Sequence, residues 1–264
     1  MTLRRRLPEG KHIMFKSKNL LSVASDAKTV KGETLGFMTG ILYLAPFKST
    51  KWNTCSMAAI AQCGDACLYT AGRGAMSTVA QGRINKTVWF FEERNSFMQQ
   101  LAKNIRSLKV KAKNAAQTLL IRLNGTSDIR WETVGFTDVD GTTYASIFDA
   151  FPEVQFYDYT KDANRKAKPS NYDLTFSYSG VIGFQPFVNK AIENGMRIAV
   201  VFRNVASIPA SFMGMRVVGG DNSDVRHIDP EGVVVALYAK GKAKHDMTGF
   251  VVDTPAPVFM LQAA

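Results

Sequence analysis

From Thr34 to Ala45 the chain reads TLGFMTGILYLA, an apolar run bounded by Gly32 and Pro46. Its length and its flanking breakers predict a buried strand. Past Gly72-Arg73-Gly74 the period becomes helical. Met76, Ala80, Ile84, Val88 and Phe91 share one stripe, and Phe97, Leu101, Ile105, Leu108 and Ala112 a second. Ser96 and Gln99 have capping-box spacing, which predicts two helices, or one helix broken near Arg94–Asn95. Six further β-rich runs follow: TLLIRLN (118–124), VQFYDYT (154–160), DLTFSYS (173–179), RIAVVF (197–202), RVVGG (216–220) and VVVALYA (233–239). Short helical candidates lie around Tyr144–Phe151 and Phe184–Asn194.

Apolar strands alternating with crossovers predict an α/β fold with a mainly parallel sheet covered by helices. With the first run there are seven strands, close to the eight of a closed barrel. The expected architecture is a single-domain partial or incomplete (β/α) barrel over residues 32–252. Residues 1–31 are polar and basic and are expected to form an arm, and 253–264 a tail. No Pro/Gly/Ser-rich linker and no internal repeat divides the chain.

Composition adds a core and a charge. The 264 residues are 46% apolar, enough for one sizeable core, and carry a formal charge of +11. The basic residues cluster at Arg4, Arg5 and Arg6, along Lys103, Arg106, Lys109, Lys111 and Lys113, from Lys161 to Lys168, and at Lys240, Lys242 and Lys244. Such an excess attracts polyanions, so nucleic acid is the expected partner; a solvated basic surface would look the same. Phe156, Tyr157, Tyr159, Phe176 and Tyr178 could stack bases or, as their alternation suggests for Phe156 and Phe176, fill the core. No apolar run reaches the roughly 18–20 residues needed to cross a bilayer, and no signal-peptide core follows the first residues. A cytoplasmic protein without a membrane partner is expected.

In parallel α/β folds ligands gather at the carboxyl ends of strands. There the sequence places Asn124, Gly125, Thr126 and Asp128, then Asp158 and Lys161, Ser177 and Ser179, Gly219, Gly220 and Asp221, and Lys240. Asp158 and Lys240 are the catalytic candidates. The others are candidates for seating a cofactor, although the same residue types also make turns. All three cysteines, Cys55, Cys63 and Cys67, fall in the loop after the first strand (loop 52–74), separated by seven and three residues. Three thiolates on one loop can hold three irons of a four-iron cluster and leave the fourth open. Zinc, or plain packing without metal, also fits, because His12, His227 and His245 are scattered. No phosphate loop, nucleophile elbow or His-Glu-x-x-His is present.

A first strand, a three-cysteine loop, a helix and a run of parallel strands resembles the radical S-adenosylmethionine enzymes, and among them bacteriophage-encoded proteins with a widened cysteine motif. The stretches NTCSMAAIAQCGDACLYTAGRG, IRLNGTSDIRWE, VQFYDYTK and TGFVV carry the likeness. It implies a [4Fe-4S] cluster on Cys55, Cys63 and Cys67, S-adenosylmethionine on the open iron, an external electron donor and a deoxyadenosyl radical. The spacers of seven and three stand where that superfamily commonly has three and two. Ala66 stands where an aromatic is common, with Tyr69 nearby, and NGTSD stands where Gly-Gly-Glu is expected. The competing expectation is a non-catalytic nucleic-acid-binding or scaffold phage protein whose cysteine loop is zinc-bound or metal-free.

Overall fold

In a computed structural model, residues 16–23, 27–67, 72–165 and 169–253 are described. Arg4–Arg6, His12, Tyr69, residues 166–168 and 254–264 lie outside them. The strands are β1 (Leu21–Ser22), β2 (Phe37–Leu42), β3 (Thr118–Arg122), β4 (Phe136–Thr137), β5 (Thr143–Tyr144) and β6 (Gln155–Thr160). They continue as β7 (Tyr172–Ser177), β8 (Ile198–Phe202), β9 (Ser211–Phe212), β10 (Met215–Gly219) and β11 (Val234–Tyr238). The helices are α1 (Ala27–Glu33), α2 (Ser77–Glu92), α3 (Arg94–Asn114), α4 (Ile147–Ala150) and α5 (Gln185–Glu193).

Nine strands form one sheet in the order β1-β2-β3-β6-β7-β8-β11-β10-β9. The seven from β2 to β10 in that order are parallel neighbours, and β1 and β9 close the edges in antiparallel. The sheet is open, a mixed α/β architecture not closed into a barrel. All seven runs read as strands from the sequence are the parallel ones. Those missed, β1, β4, β5 and β9, have two residues each, too few to show a period. Within the stretch expected as an arm, Leu21–Ser22 pair with β2 and Leu20 is fully buried.

The helices α2 to α5 cover one face, while α1 lies with the β10–β11 crossover, its Gly32 facing Val225. Phe97, Leu101, Ile105, Leu108 and Ala112 of α3 pack with Leu119, Ile121 and Leu123, as their stripe predicts. Val188 and Ala191 of α5 pack with Phe176, Ile198, Val200 and Ala236 further along. The rings considered for base stacking are core: Phe156, Tyr157, Phe176 and Tyr178 are all buried. The opposite face is covered by the crossover from β10 to β11. There Val225 packs on Leu120, Tyr157 and Phe37, the His227 ring meets Phe37 and Tyr157, and Arg122 pairs with Asp224.

Two helix expectations are corrected. The break between α2 and α3 falls at Glu93, and Ser96 lies inside α3 without capping it. Its hydroxyl bonds the Glu93 carbonyl (3.2 Å) and accepts from Trp89 Nε1 (2.8 Å), while Gln99 Nε2 donates to the Thr137 carbonyl. The stripe on α2 is also rotated. Met76 is 55% exposed, and the buried residues are Arg83, Thr87, Trp89 and Phe90. Polar Arg83 and Thr87 are turned inward because this side of α2 faces the loop that follows β2, where Thr87 Oγ1 accepts the Ala45 N–H (2.8 Å).

Candidate functional site

The cysteine loop is laid along the carboxyl edge of the sheet and tied down at each strand it crosses. Thr54 Oγ1 donates to the Ala45 carbonyl (2.7 Å), and the Thr54 carbonyl accepts from Asp128 N (2.8 Å) in the loop after β3. Farther along, Ser179 Oγ, after β7, donates to the Ala61 carbonyl (2.8 Å), and Thr248 Oγ1 to that of Gln62 (3.3 Å). Cys63 and Ala66 pack against Ala239, Ala243, Phe250 and Val251 beyond β11. Residues from four separate stretches thus hold one loop, as expected where strand-end loops converge.

At its centre lies Lys161, the first residue past β6. Its ammonium donates to the Ser177 carbonyl and hydroxyl (both 3.1 Å) and to the Tyr178 carbonyl (3.3 Å), with the Phe250 and Phe184 rings 4.7 and 5.3 Å away. Burial pushes its pKa down; Cys63, Asp128, Cys67 and Cys55 act against that shift, so all three sulfurs lie within electrostatic reach of one ammonium. Asp128 accepts from Lys161 N (2.8 Å) and pairs with Arg165 (3.3 Å). Its carboxyl is pushed up by burial against the pull of Arg165.

None of the cysteines is in a disulfide. Cys55 Sγ accepts from Phe47 N (3.4 Å) and lies 3.8 Å from the Thr126 carbonyl. Burial pushes its pKa up to about 12 despite those donors, and raises that of Cys63 against the opposing charge of Lys161. Both are therefore protonated at neutral pH. A thiol in that state is a poor nucleophile, and bound metal would draw off its proton. Among the described residues, no three His, Cys, Asp or Glu side chains form a group able to hold one metal ion.

The remaining candidates divide. Asp128 and Ser177 join the cysteine cluster. Asn124 is a loop organiser: its Oδ1 accepts from Ser127 Oγ (2.9 Å), Ile129 N and Trp131 Nε1 (both 3.0 Å). The Thr126 hydroxyl is used on the Leu44 carbonyl (2.5 Å). Gly125 permits close packing, since a Cβ there would lie 2.6 Å from Tyr43 Cδ1. Asp158 is 0% exposed and accepts from Leu123 N (3.1 Å), Asn124 N (2.9 Å) and Tyr172 OH (3.1 Å), with Arg122 Nε at 3.9 Å. It fastens β6 to the end of β3. Asp221 and Lys240 pair with each other (3.0 Å) at the β10–β11 end, apart from the cysteine cluster.

Gly219 has open space around it, but a Cβ on Gly220 would fall 2.4 Å from Val235 Cγ1 and 2.8 Å from both Arg226 Nη1 and Leu237 Cδ2. What approaches Gly220 is the chain's own β11, with Arg226 of the crossover. Gly220→Ala should therefore cost about 1–3 kcal/mol through overpacking, read by denaturant titration; an unchanged midpoint would show that these neighbours give way freely. Of the basic stripe on α3, Arg106 pairs with Asp138 and Lys109 with Glu153, while Lys103, Lys111 and Lys113 are exposed. No helix among the described residues is long and apolar enough to cross a membrane.

The sequence names Lys161 only as a residue following a strand; nothing local marks it as the hub, because its partners come from β7, the cysteine loop and the 246–251 segment. Comparison with known proteins adds a family. The chain belongs to the Gene product 88 family, whose pattern it matches over residues 14–254, and with it to the phage proteins. No curated protein and no solved structure matches it.

Proposed function

We propose that the open parallel sheet works as an incomplete (β/α) barrel, and that Cys55, Cys63 and Cys67 hold a [4Fe-4S] cluster at its carboxyl edge in a protein of the radical S-adenosylmethionine type. The observation that carries this reading is that three thiols of one anchored loop lie within electrostatic reach of the buried ammonium of Lys161. A four-iron cluster takes one thiolate per iron, so three thiolates on one loop leave the fourth iron open, whereas zinc would need all three about 2.3 Å from one centre.

When bound, a cluster with one open iron supplies one-electron chemistry to S-adenosylmethionine. The residues of the chain have plainer tasks. Lys161 offsets the negative charge of three thiolates, and Phe184 and Phe250 keep water from that ammonium. Asn124, Gly125 and Thr126, whose side-chain positions are taken up by the loop itself, would offer a cofactor backbone groups other than the Asn124 and Gly125 amides, which Asp158 and the Leu42 carbonyl hold.

The test is anaerobic purification of the full chain and reconstitution with iron and sulfide. A brown protein with about four irons per chain is expected, lost in each single Cys→Ser variant. A colourless, iron-free protein with its fold intact would overturn the reading and leave the metal-free loop. Stoichiometric zinc in place of iron would overturn it in favour of a zinc site.

A further inference from the structure

The inward-turned side of α2 carries a cation whose hydrogen-bonding capacity the fold does not use up. Arg83 is 9% exposed, and among the described residues its Nε and Nη1 are buried without a hydrogen-bond partner. Its guanidinium lies 5.0 Å from the Tyr43 ring, just past the end of β2, and within electrostatic reach of Cys67. One turn on, Lys86 Nζ touches only the Leu20 carbonyl, at 3.4 Å, among the described residues. Neither cation is in an ion pair there. Two desolvated cations on one helix face repel each other; burial and Arg83 together push Lys86 down to about 8.

An orphaned buried guanidinium is costly. Leaving a charged donor unsatisfied forfeits several kcal/mol that a methionine of similar length would not. Structural need does not account for it, because Thr87, not Arg83, holds the Ala45 N–H of the facing loop. The counterpart such a group calls for is an acceptor with negative charge, placed between α2, Tyr43 and Cys67. A planar fork of donors suits the paired oxygens of an oxyanion, and a neighbouring ammonium adds charge without directional demand.

We infer that Arg83, supported by Lys86, forms a binding site for an oxyanion, the carboxylate or phosphate group of a small ligand, beside the cysteine loop. The site does not depend on a cluster, so it is tested on the full chain without iron, and its failure would leave the iron–sulfur reading standing. Thermal unfolding is followed while inorganic phosphate or acetate replaces chloride at constant ionic strength. The melting temperature of the natural chain is expected to rise with concentration of at least one anion, by mass action on the folded state. A response to phosphate alone identifies a phosphate site, and a response to acetate a carboxylate site. Arg83→Met should weaken the response about tenfold or more, and Lys86→Met by a smaller factor. If Arg83→Met does not fold, the natural chain and Lys86→Met decide. No shift beyond chloride with either anion, or an equal shift in the variants, would overturn the site.

Discussion

Asp158→Ala is expected to destabilise the protein by about 3–5 kcal/mol, because it strips the acceptor from three donors and a counter-charge from Arg122 at once. Leu123 N, Asn124 N and Tyr172 OH would lose their bonds, and the buried Arg122 guanidinium one of its two carboxylates. A fall in melting temperature of roughly 10 °C should accompany the loss. The ionisation of this group has its own signature. Burial pushes the Asp158 pKa up to about 6, against the pull of Arg122 and the two amides, from an ordinary 3.8. Between those values the unfolded chain has released the proton and the folded chain still holds it. The contribution is thus complete below about pH 4 and lost as pH rises through about 6. Asp158→Asn cannot titrate, so the difference in stability between natural chain and variant should drift in favour of the variant across that window. Urea titrations at several pH values measure it; parallel curves would place the ionisation elsewhere.

Lys161→Met should cost about 2–4 kcal/mol, since Ser177 and Tyr178 lose the donor that spans them. The more specific effect is on the thiols. Lys161 is the main influence holding the Cys63 pKa down against burial, so its removal should move the alkylation of Cys63 to higher pH. Mass mapping after iodoacetamide treatment at stepped pH reads this without any metal present. An unchanged Cys63 profile in a folded variant would separate the ammonium from the cluster of sulfurs. The same variant should take up less iron on reconstitution, because three thiolates would then share a buried site without their counter-charge.

The parts legible in the sequence were those set by local periodicity. Near-continuous apolar runs gave all seven parallel strands, and the stripe from Phe97 to Ala112 gave the buried face of α3, because apolar burial repeats with the period of the element. Chain order also placed the cysteines after the first parallel strand, hence on the carboxyl edge. Where polar groups are buried, periodicity misleads. On α2 an apolar stripe was overruled by Arg83 and Thr87, which face a loop some forty residues earlier in the chain. Asp158 reads as a catalytic carboxylate by position, yet three hydrogen bonds from β3's end and Tyr172 make it a fastener. The Gly219-Gly220 pair reads as room for a ligand, yet Val235 and Leu237 of β11, with Arg226, fill the space at Gly220.

The sequence by itself determined the seven parallel strands, the helices α2 to α5 and that the three thiols share one loop, since these follow from spacing along the chain. Only the tertiary structure decided that the sheet stays open, that Lys161 lies within electrostatic reach of the sulfurs and that Arg83 is turned inward against Tyr43. Each of those depends on groups far apart in the chain whose charges and hydrogen bonds meet only after the strands are laid side by side.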